Sequence, residues 1–586
     1  MLTVRLISKS VGDWDAIYGG FQWDVPEQFN IAEFVCDRHS ADPDRVALYC
    51  EDEEGKQEKY TFGQIKKMSN RLANVFSGLG VNRGDRAGIV LPQRPETAIA
   101  HIALYKIGAI AVPLANLFGP DALKYRLGDS SAKAVVTDKE NLWKIHEIRD
   151  DLPDLKRVLL VDGIPEKDEI DFTKAIMDAS PDCTTLSCGA DEPAIIIYTS
   201  GTTGPPKGAL HAHRYLIGHL PGFELSHDFF PQNGDLGWTP ADWAWIGGLM
   251  DLLMPCWFYG TPVLAFRGKK FDPERSLYLM EKYNVRNVFM PPTAMKMIRQ
   301  VPNISERYRV RLRTVMCGGE ALGAETLNWA KRELGVGINE IYGQTEANYM
   351  VGNCQELIAA TPGSMGRPYP GHRVEIMDDS GNLLPPGEAG EIVFKRYHDR
   401  GGVLPVDAKP VGVTSSDAKS IKEKHRQQDP VFFLGYWNNP ESTEEKFKGD
   451  WALSGDLGVK DAEGRFWFRG RKDDIIISAG YRIGPGEIEE SLIKHPAVAL
   501  AAVVGSPDKL RGSVVKAFVK LAAGYSESEA LSEEIRQYVK KNLAAHEYPR
   551  ELEFVDEIPR TTTGKIKRRD LRLREEEKKG AEQRED

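Results

Sequence analysis

Short apolar runs recur from Arg45 to about Asp162, and between them lie longer stretches whose apolar positions repeat at helical spacing. RVALYC, RAGIVLP, AIAVPL, AVVTD and VLLVD predict strands. TFGQIKKMSNRLANVFSGLG and RPETAIAHIALYKIG predict the helices that connect them. The rhythm returns with RNVFM, PPTAMKMIRQV, RTVMCGG, AETLNWAKREL and NEIYG. Alternating strand and helix builds crossover units on a mostly parallel sheet, and the length of the pattern predicts two such sheets.

Near Arg367 the texture changes. RVEIMDDSGNLLPPGEAGEIVF and WALSGDLGVKDAEGRFWFRG alternate apolar and polar positions around Gly/Asp turns, which predicts a small antiparallel barrel or sheet. Between them, residues 397–430 form a polar stretch rich in Asp, Lys and Gln, longer than an ordinary loop and read as a mobile insertion. A further α/β unit of about a hundred residues begins at Ile475. The final stretch, residues 575–586, is almost wholly charged and predicts a disordered tail.

Composition narrows the function classes. The 586 residues are 41% hydrophobic and 28% charged, as in an ordinary globular protein of more than one domain. A net charge of -10 argues against a nucleic-acid partner, so any phosphate must be held by local donors. No apolar run reaches the roughly 20 residues of a membrane helix, and the start has neither an h-region nor an Arg-rich presequence. Seven scattered cysteines, without metal spacing, read as buried thiols in a reducing compartment, and the expected location is cytoplasmic.

Chemistry concentrates first in AIIIYTSGTTGPPKGALHAH. A strand runs into Thr199, Ser200, Gly201, Thr202, Thr203 and Gly204, with Lys207 three residues on. Glycines let N–H groups turn toward phosphate oxygens, the hydroxyls add donors, and the lysine adds charge. The spacing is not that of a P-loop, and composition alone also permits a plain turn.

The whole string resembles the phosphate loop of the adenylate-forming superfamily, which contains acyl-CoA synthetases, firefly luciferase and peptide-synthetase adenylation domains. Further matches follow in the family's order. Cys317-Gly318-Gly319-Glu320 would seat adenine, and Glu340 and Ile341 lead into Tyr342-Gly343-Gln344-Thr345-Glu346. There the resemblance implies that Tyr342 stacks on adenine, Thr345 touches the α-phosphate and Glu346 holds Mg²⁺. Asp456 would bind the ribose hydroxyls, with Arg471 beside it, and Asp473 would be the hinge. Ser478-Ala479-Gly480-Tyr481-Arg482 and Gly564-Lys565 complete the set.

The resemblance implies an AMP-forming acyl-CoA synthetase using ATP, Mg²⁺ and coenzyme A on a small carboxylic acid. Lys565 would bridge carboxylate and α-phosphate oxygens during adenylation, with Lys207, Thr345 and Glu346 as the other catalytic groups. For thioester formation the C-terminal domain would turn about Asp473, and Ala479, Gly480 and Tyr481 would line the pantetheine tunnel. Arg511 and Lys540 align with CoA contacts of medium-chain synthetases, although a basic side chain alone specifies little. The implied fold is α/β: a large N-terminal domain (1–470) of two mostly parallel sheets plus a small β-barrel, a hinge (471–473) and a small mobile α+β C-terminal domain (474–574).

The C-terminal strings look most like the medium-chain acyl-CoA synthetases. Acetyl-CoA synthetase carries a tryptophan where Gly343 stands, and its absence predicts room for several carbons and poor use of acetate. Each buried methylene is worth about 0.8 kcal/mol. Trp238 and Trp243 are candidate pocket walls, with Trp245 and Gly247-Gly248 nearby, and His211 reads as a structural histidine. Expected partners are the small molecules and a homodimer, without nucleic acid or an integral membrane segment. The alternatives are a same-fold ligase serving a carrier protein or amine, and a non-catalytic nucleotide sensor.

Overall fold

Thr61 shows how local chemistry punctuates the α/β pattern. Its hydroxyl accepts from the Gln64 amide at 3.3 Å while Gln64 Oε1 accepts from the Thr61 amide at 2.8 Å, so this capping box starts the helix Phe62–Gly78. The next helix, Pro95–Lys106, opens on a proline and is buried on every side, which explains its nearly unbroken apolar run. The computed structural model describes residues 5–166, 168–199, 205–268, 270–319, 322–399, 426–474, 476–478, 481–508, 512–542, 548–561 and 565–585. The chain divides into two units, Met1–Val374 with Phe394–Ala452, and Glu375–Val393 with Leu453–Asp586.

The first unit holds both expected sheets. In one, Glu169–Asp171, Arg157–Leu160, Ala134–Thr137, Arg86–Val90, Ile110–Pro113 and Pro193–Thr199 run parallel, followed by Lys207–Ala212 and Gly435–Tyr436 in antiparallel pairing. In the other, Val46–Asp52, Val263–Arg267, Gly237–Trp238, Asn287–Phe289, Thr314–Gly318 and Ile338–Gln344 run parallel. Ala347–Gly352 then turns back as a hairpin on Ile338–Gln344. The strand ends that carry the candidate motifs, at Thr199, Gly318 and Gln344, are carboxyl ends, where open α/β sheets place their ligands.

Strands Val374–Met377, Ala389–Lys395, Trp451–Lys460 and Phe466–Arg471 lie side by side in that order, the last two antiparallel, with most of their residues in the second unit. The second unit also holds a five-stranded sheet centred on Gly512–Leu521, covered by helices Pro485–Ile493 and Glu529–Asn542. Residues 375–393 and 453–470, read from the sequence as N-terminal, belong to this unit.

Two stretches differ from the charge pattern. Helix Arg568–Glu585 continues through residues 575–585, where a disordered tail was expected. Glu575 is fully buried, accepting from Lys516 Nζ at 2.7 Å and Ser506 Oγ at 3.1 Å, and Leu571 one turn earlier packs near Phe518. The buried, paired Glu575, together with Leu571 and the ion pairs of Arg568 and Arg572 with Glu489 and Asp474, thus anchors a helix whose composition reads as solvated chain. Of the polar insertion, residues 400–425 lie outside the described residues; its flanks Tyr397–Asp399 and Arg426–Gln428 pair antiparallel. Among the described residues no helix is long and apolar enough to cross a membrane, and all seven cysteines are free thiols.

Candidate active site

The phosphate-loop hairpin is framed by two antiparallel strands, with Thr199 opposite Lys207 and the Thr199 hydroxyl on the Lys207 carbonyl at 3.4 Å. Ser200, Gly201, Thr202, Thr203 and Gly204 lie outside the described residues, as does Glu320. The Lys207 ammonium stands 5.3 Å from the centroid of the Tyr436 ring. Gly318 and Gly319 end their strand where little else fits. A Cβ on Gly318 would meet Ile341 Cγ1 at 2.6 Å, and Gly319 has φ 101°, a conformation that strains any L side chain.

Residues 342–346 form the turn between Ile338–Gln344 and Ala347–Gly352, and all five are half-buried. The Tyr342 ring lies 6.0 Å from that of Phe394. Gln344 accepts from Lys446 Nζ at 2.9 Å, and the Thr345 carbonyl accepts from the Tyr215 hydroxyl at 2.7 Å. Glu346 accepts the Tyr436 hydroxyl on Oε1. Its carboxylate is a hard oxygen donor of the kind Mg²⁺ prefers, so the residue type and its partial exposure fit the expected cation. Among the described residues no group of three or more His, Cys, Asp or Glu could hold a metal, so protein carboxylates alone do not build a cage.

Gly343 is packed tightly. A Cβ there would sit 2.7 Å from Asn348 Cα, 2.8 Å from Asn348 Oδ1 and 2.8 Å from the Tyr349 amide nitrogen. The volume left by the missing side chain is therefore taken by the returning strand. Trp238 and Trp243 are 1% and 0% exposed, and their indole N–H groups have no acceptor among the described residues. Trp238 packs in the core with Leu264, Val288 and Val315.

Behind this turn lies a buried polar network that sequence reading missed. Asp251 accepts from Asn348 Nδ2 at 2.5 Å, and the same amide faces His219 Nε2 at 3.3 Å. His219 Nδ1 lies 2.7 Å from the Tyr215 carbonyl, so Nδ1 carries the proton and Nε2 accepts. Burial depresses His219 to about 3, so its imidazole is neutral at neutral pH, and burial also raises Asp251 well above the usual carboxyl range. The available signal was one acidic residue inside the apolar run GGLMDLLMPCW. His211 is fully buried and stacked on Tyr215 at 3.8 Å, and desolvation drives its pKa well below the usual range.

Glu340 is 7% exposed and accepts only from the Leu322 amide, at 3.2 Å, while its second oxygen has no partner among the described residues. Burial pushes it up to about 8. Ile341 beside it is buried.

In the second unit Asp456 stands opposite Arg471, whose guanidinium donates to Asp456 Oδ1 at 2.8 Å. Arg471 also reaches the Ser454 carbonyl at 3.4 Å. Glu391 secures the turn by accepting from the Gly455 amide at 2.9 Å and from Lys472 Nζ at 3.1 Å. Lys565 is exposed, and its backbone is fixed because the Thr561 amide donates to its carbonyl at 2.7 Å. Lys540 sits 5.2 Å from the Tyr548 ring. Ala479, Gly480 and Arg511 lie outside the described residues, as do the side chains of Asp473, Tyr481 and Arg482.

Two hairpins lie at the carboxyl ends of the two α/β sheets, one pairing Thr199 with Lys207 and the other bearing the Tyr-Gly-Gln-Thr-Glu turn. Comparison with known proteins gives the class of protein that carries them, a ligase of the AMP-binding family. Residues 37–399 match the family described as AMP-binding enzyme, and residues 487–565 match the AMP-binding enzyme C-terminal domain; the chain belongs to this family. It is 36% identical over 563 residues to acyl-coenzyme A synthetase ACSM4, mitochondrial, of Homo sapiens, covering 94% of this chain and 91% of that one. It is also 36% identical over 569 residues to acetyl-coenzyme A synthetase of Bacillus subtilis, covering 96% and 93%. Among solved structures, the anthranilate CoA ligase AuaEII in complex with anthranoyl-AMP superposes with a TM-score of 0.82 at 27% identity, covering 95% of this chain and 99% of that one. The acyl-CoA synthetase of Brucella canis gives 0.71 at 32% identity, covering 97% and 100%. The protein is an AMP-forming acid–thiol ligase, using ATP, Mg²⁺ and coenzyme A.

Proposed function

We propose that this ligase activates a short- or medium-chain, branched or aryl acid in preference to acetate. The likeness to CoA ligases of aryl acids carries the reading; Gly343 does not, because Asn348 and the Tyr349 amide already occupy the space beside it. The resemblance to an anthranilate CoA ligase, and to a benzoate CoA ligase from Burkholderia xenovorans with a TM-score of 0.77 at 26% identity, supports room for a ring. One relative is an acetyl-coenzyme A synthetase, which makes acetate the deciding control.

In this reading the acid's carboxylate attacks the α-phosphorus of ATP, and the obstacle is the approach of two anions. Lys207 and the loop after Thr199 hold phosphate oxygens, Thr345 contacts the α-phosphate, and Tyr342 lies against adenine with Gly318, Gly319, Glu340 and Ile341 around it. Asp456, preset by Arg471, takes the ribose hydroxyls. Glu346 is the protein ligand for Mg²⁺, which when bound neutralises triphosphate charge. Lys565, exposed and without an ion pair among the described residues, supplies the ammonium for adenylation. Turning about Asp473, at the 471–473 hinge, would then exchange it for residues 479–481, with Arg511 and Lys540 toward the CoA nucleotide.

Pyrophosphate exchange with straight acids from C2 to C10, branched acids and aryl acids tests the reading. Four methylenes at about 0.8 kcal/mol each correspond to roughly 200-fold in kcat/KM over acetate. Acetate matching the best acid would overturn the substrate class. No exchange with any acid would overturn the adenylation reading itself.

A further inference from the structure

Residues 432–437 join the two hairpins of the first unit. On one side the Phe433 amide donates to the Glu346 carbonyl at 3.0 Å, and Phe432 bridges to Ala347. On the other, the Leu434 amide donates to the Leu210 carbonyl and the Trp437 amide to the Gly208 carbonyl, both at 2.7 Å. Tyr436 lies in the middle, opposite Ala209 in register, with its amide donating to Thr443 Oγ1 at 2.8 Å. Asn439 fixes the following turn by capping helix Pro440–Glu445 through the Ser442 amide at 2.9 Å.

Two groups of the proposed chemistry therefore meet one aromatic side chain. The Tyr436 hydroxyl donates to Glu346 Oε1, and the Lys207 ammonium stands 5.3 Å from the ring centroid. The Phe433 ring packs on Tyr436 at 5.0 Å and limits its rotation. We propose that Tyr436 is a positioning residue for adenylation, orienting the Glu346 carboxylate with its hydroxyl and Lys207 with its ring. The inference rests on the reading of Glu346 as the Mg²⁺ ligand and adds the group that aims it.

The chemistry is that of an outer-shell donor. A carboxylate offers about four lone-pair directions, and a phenol on Oε1 leaves Oε2 to a cation while holding the carboxyl plane. The ring face attracts the ammonium and restricts it without neutralising it, so Lys207 keeps its charge for phosphate. The two interactions are separable, because Tyr436→Phe removes the hydroxyl and Tyr436→Leu removes hydroxyl and ring.

The experiment is calorimetric titration of the full chain with ATP, acid absent, in excess Mg²⁺ and in EDTA. Parent, Tyr436→Phe, Tyr436→Leu and Glu346→Gln are compared. We expect the Mg²⁺-dependent gain in ATP affinity to vanish in Glu346→Gln and to fall about tenfold in Tyr436→Phe, with affinity in EDTA unchanged. Tyr436→Leu is expected to weaken ATP in EDTA as well, because Lys207 loses its support. Thioester formation from supplied acyl-AMP and CoA should be preserved in Tyr436→Phe. A parental Mg²⁺ gain in Glu346→Gln overturns the ligand reading. A weakened gain in Glu346→Gln with a parental one in Tyr436→Phe overturns the role of Tyr436, as does equal loss of both half-reactions in Tyr436→Phe.

Discussion

Replacing Gly343 with alanine separates two accounts of this position. The added methyl would stand 2.7 Å from Asn348 Cα, so the returning strand must retreat by about 0.7 Å to reach the 3.4 Å where ordinary contact begins. Overpacking of this kind costs about 1–3 kcal/mol. The retreat also pulls Asn348 from Asp251 and His219, and a buried acceptor left without its donor costs about 1–3 kcal/mol more. The displaced turn carries Thr345 and Glu346, and a misplacement near 1 Å at reacting groups can cost about 100-fold. Gly343→Ala should therefore lower pyrophosphate exchange about 10- to 100-fold for every acid, leave the order of preference among acids intact, and lower the midpoint of thermal unfolding. The assay is exchange across the acid panel together with a thermal melt. An alanine variant that activates acetate and propionate at the parental rate, loses only longer acids and melts with the parent would refute the packing argument. It would place the side chain in the acyl pocket instead.

Lys565→Ala should lose about 10²–10³ in pyrophosphate exchange while still converting supplied acyl-AMP and CoA to thioester, and equal loss in both assays would remove Lys565 from adenylation. Glu340 links folding to pH: its folded pKa is raised to about 8 by burial, so the folded chain keeps a proton that the unfolded chain releases near the ordinary value of 4.5. That contribution to stability is complete below the unfolded value, declines as pH rises, and is gone once pH passes about 8. Glu340→Gln should gain on the parent by up to about 1.4 kcal/mol per pH unit between those values in denaturant unfolding, and a pH-independent difference would show that the carboxyl is charged in the folded protein.

Both sheets were legible because their strands are unbroken apolar runs and their helices carry clear starts such as the Thr61–Gln64 cap. The motif residues were legible as strings, since Lys207, Glu346, Asp456 and Lys565 are chemistry-bearing types in a fixed order. Tyr436 was not, because Gly-Tyr-Trp-Asn-Asn-Pro reads as a turn and its contact with Glu346 spans 90 positions. Asp251 was hidden among apolar neighbours, and its partner Asn348 comes from a strand 97 positions away. Glu575 was masked by the charges around it: helical spacing from Leu571 marks the inward face, but only the fold supplies Lys516 opposite. The packing at Gly343 was beyond composition altogether, since it depends on how closely one hairpin strand passes its neighbour.

The salt link between Lys516 and Glu575 bears on how this polypeptide can be trimmed or fused. A truncation made before residue 575, tempting because the last dozen residues look like solubilising filler, would strand an ammonium that is 4% accessible beside Glu553 alone. An affinity tag appended after the final residue keeps that counter-ion in place, whereas one substituted for the segment removes it.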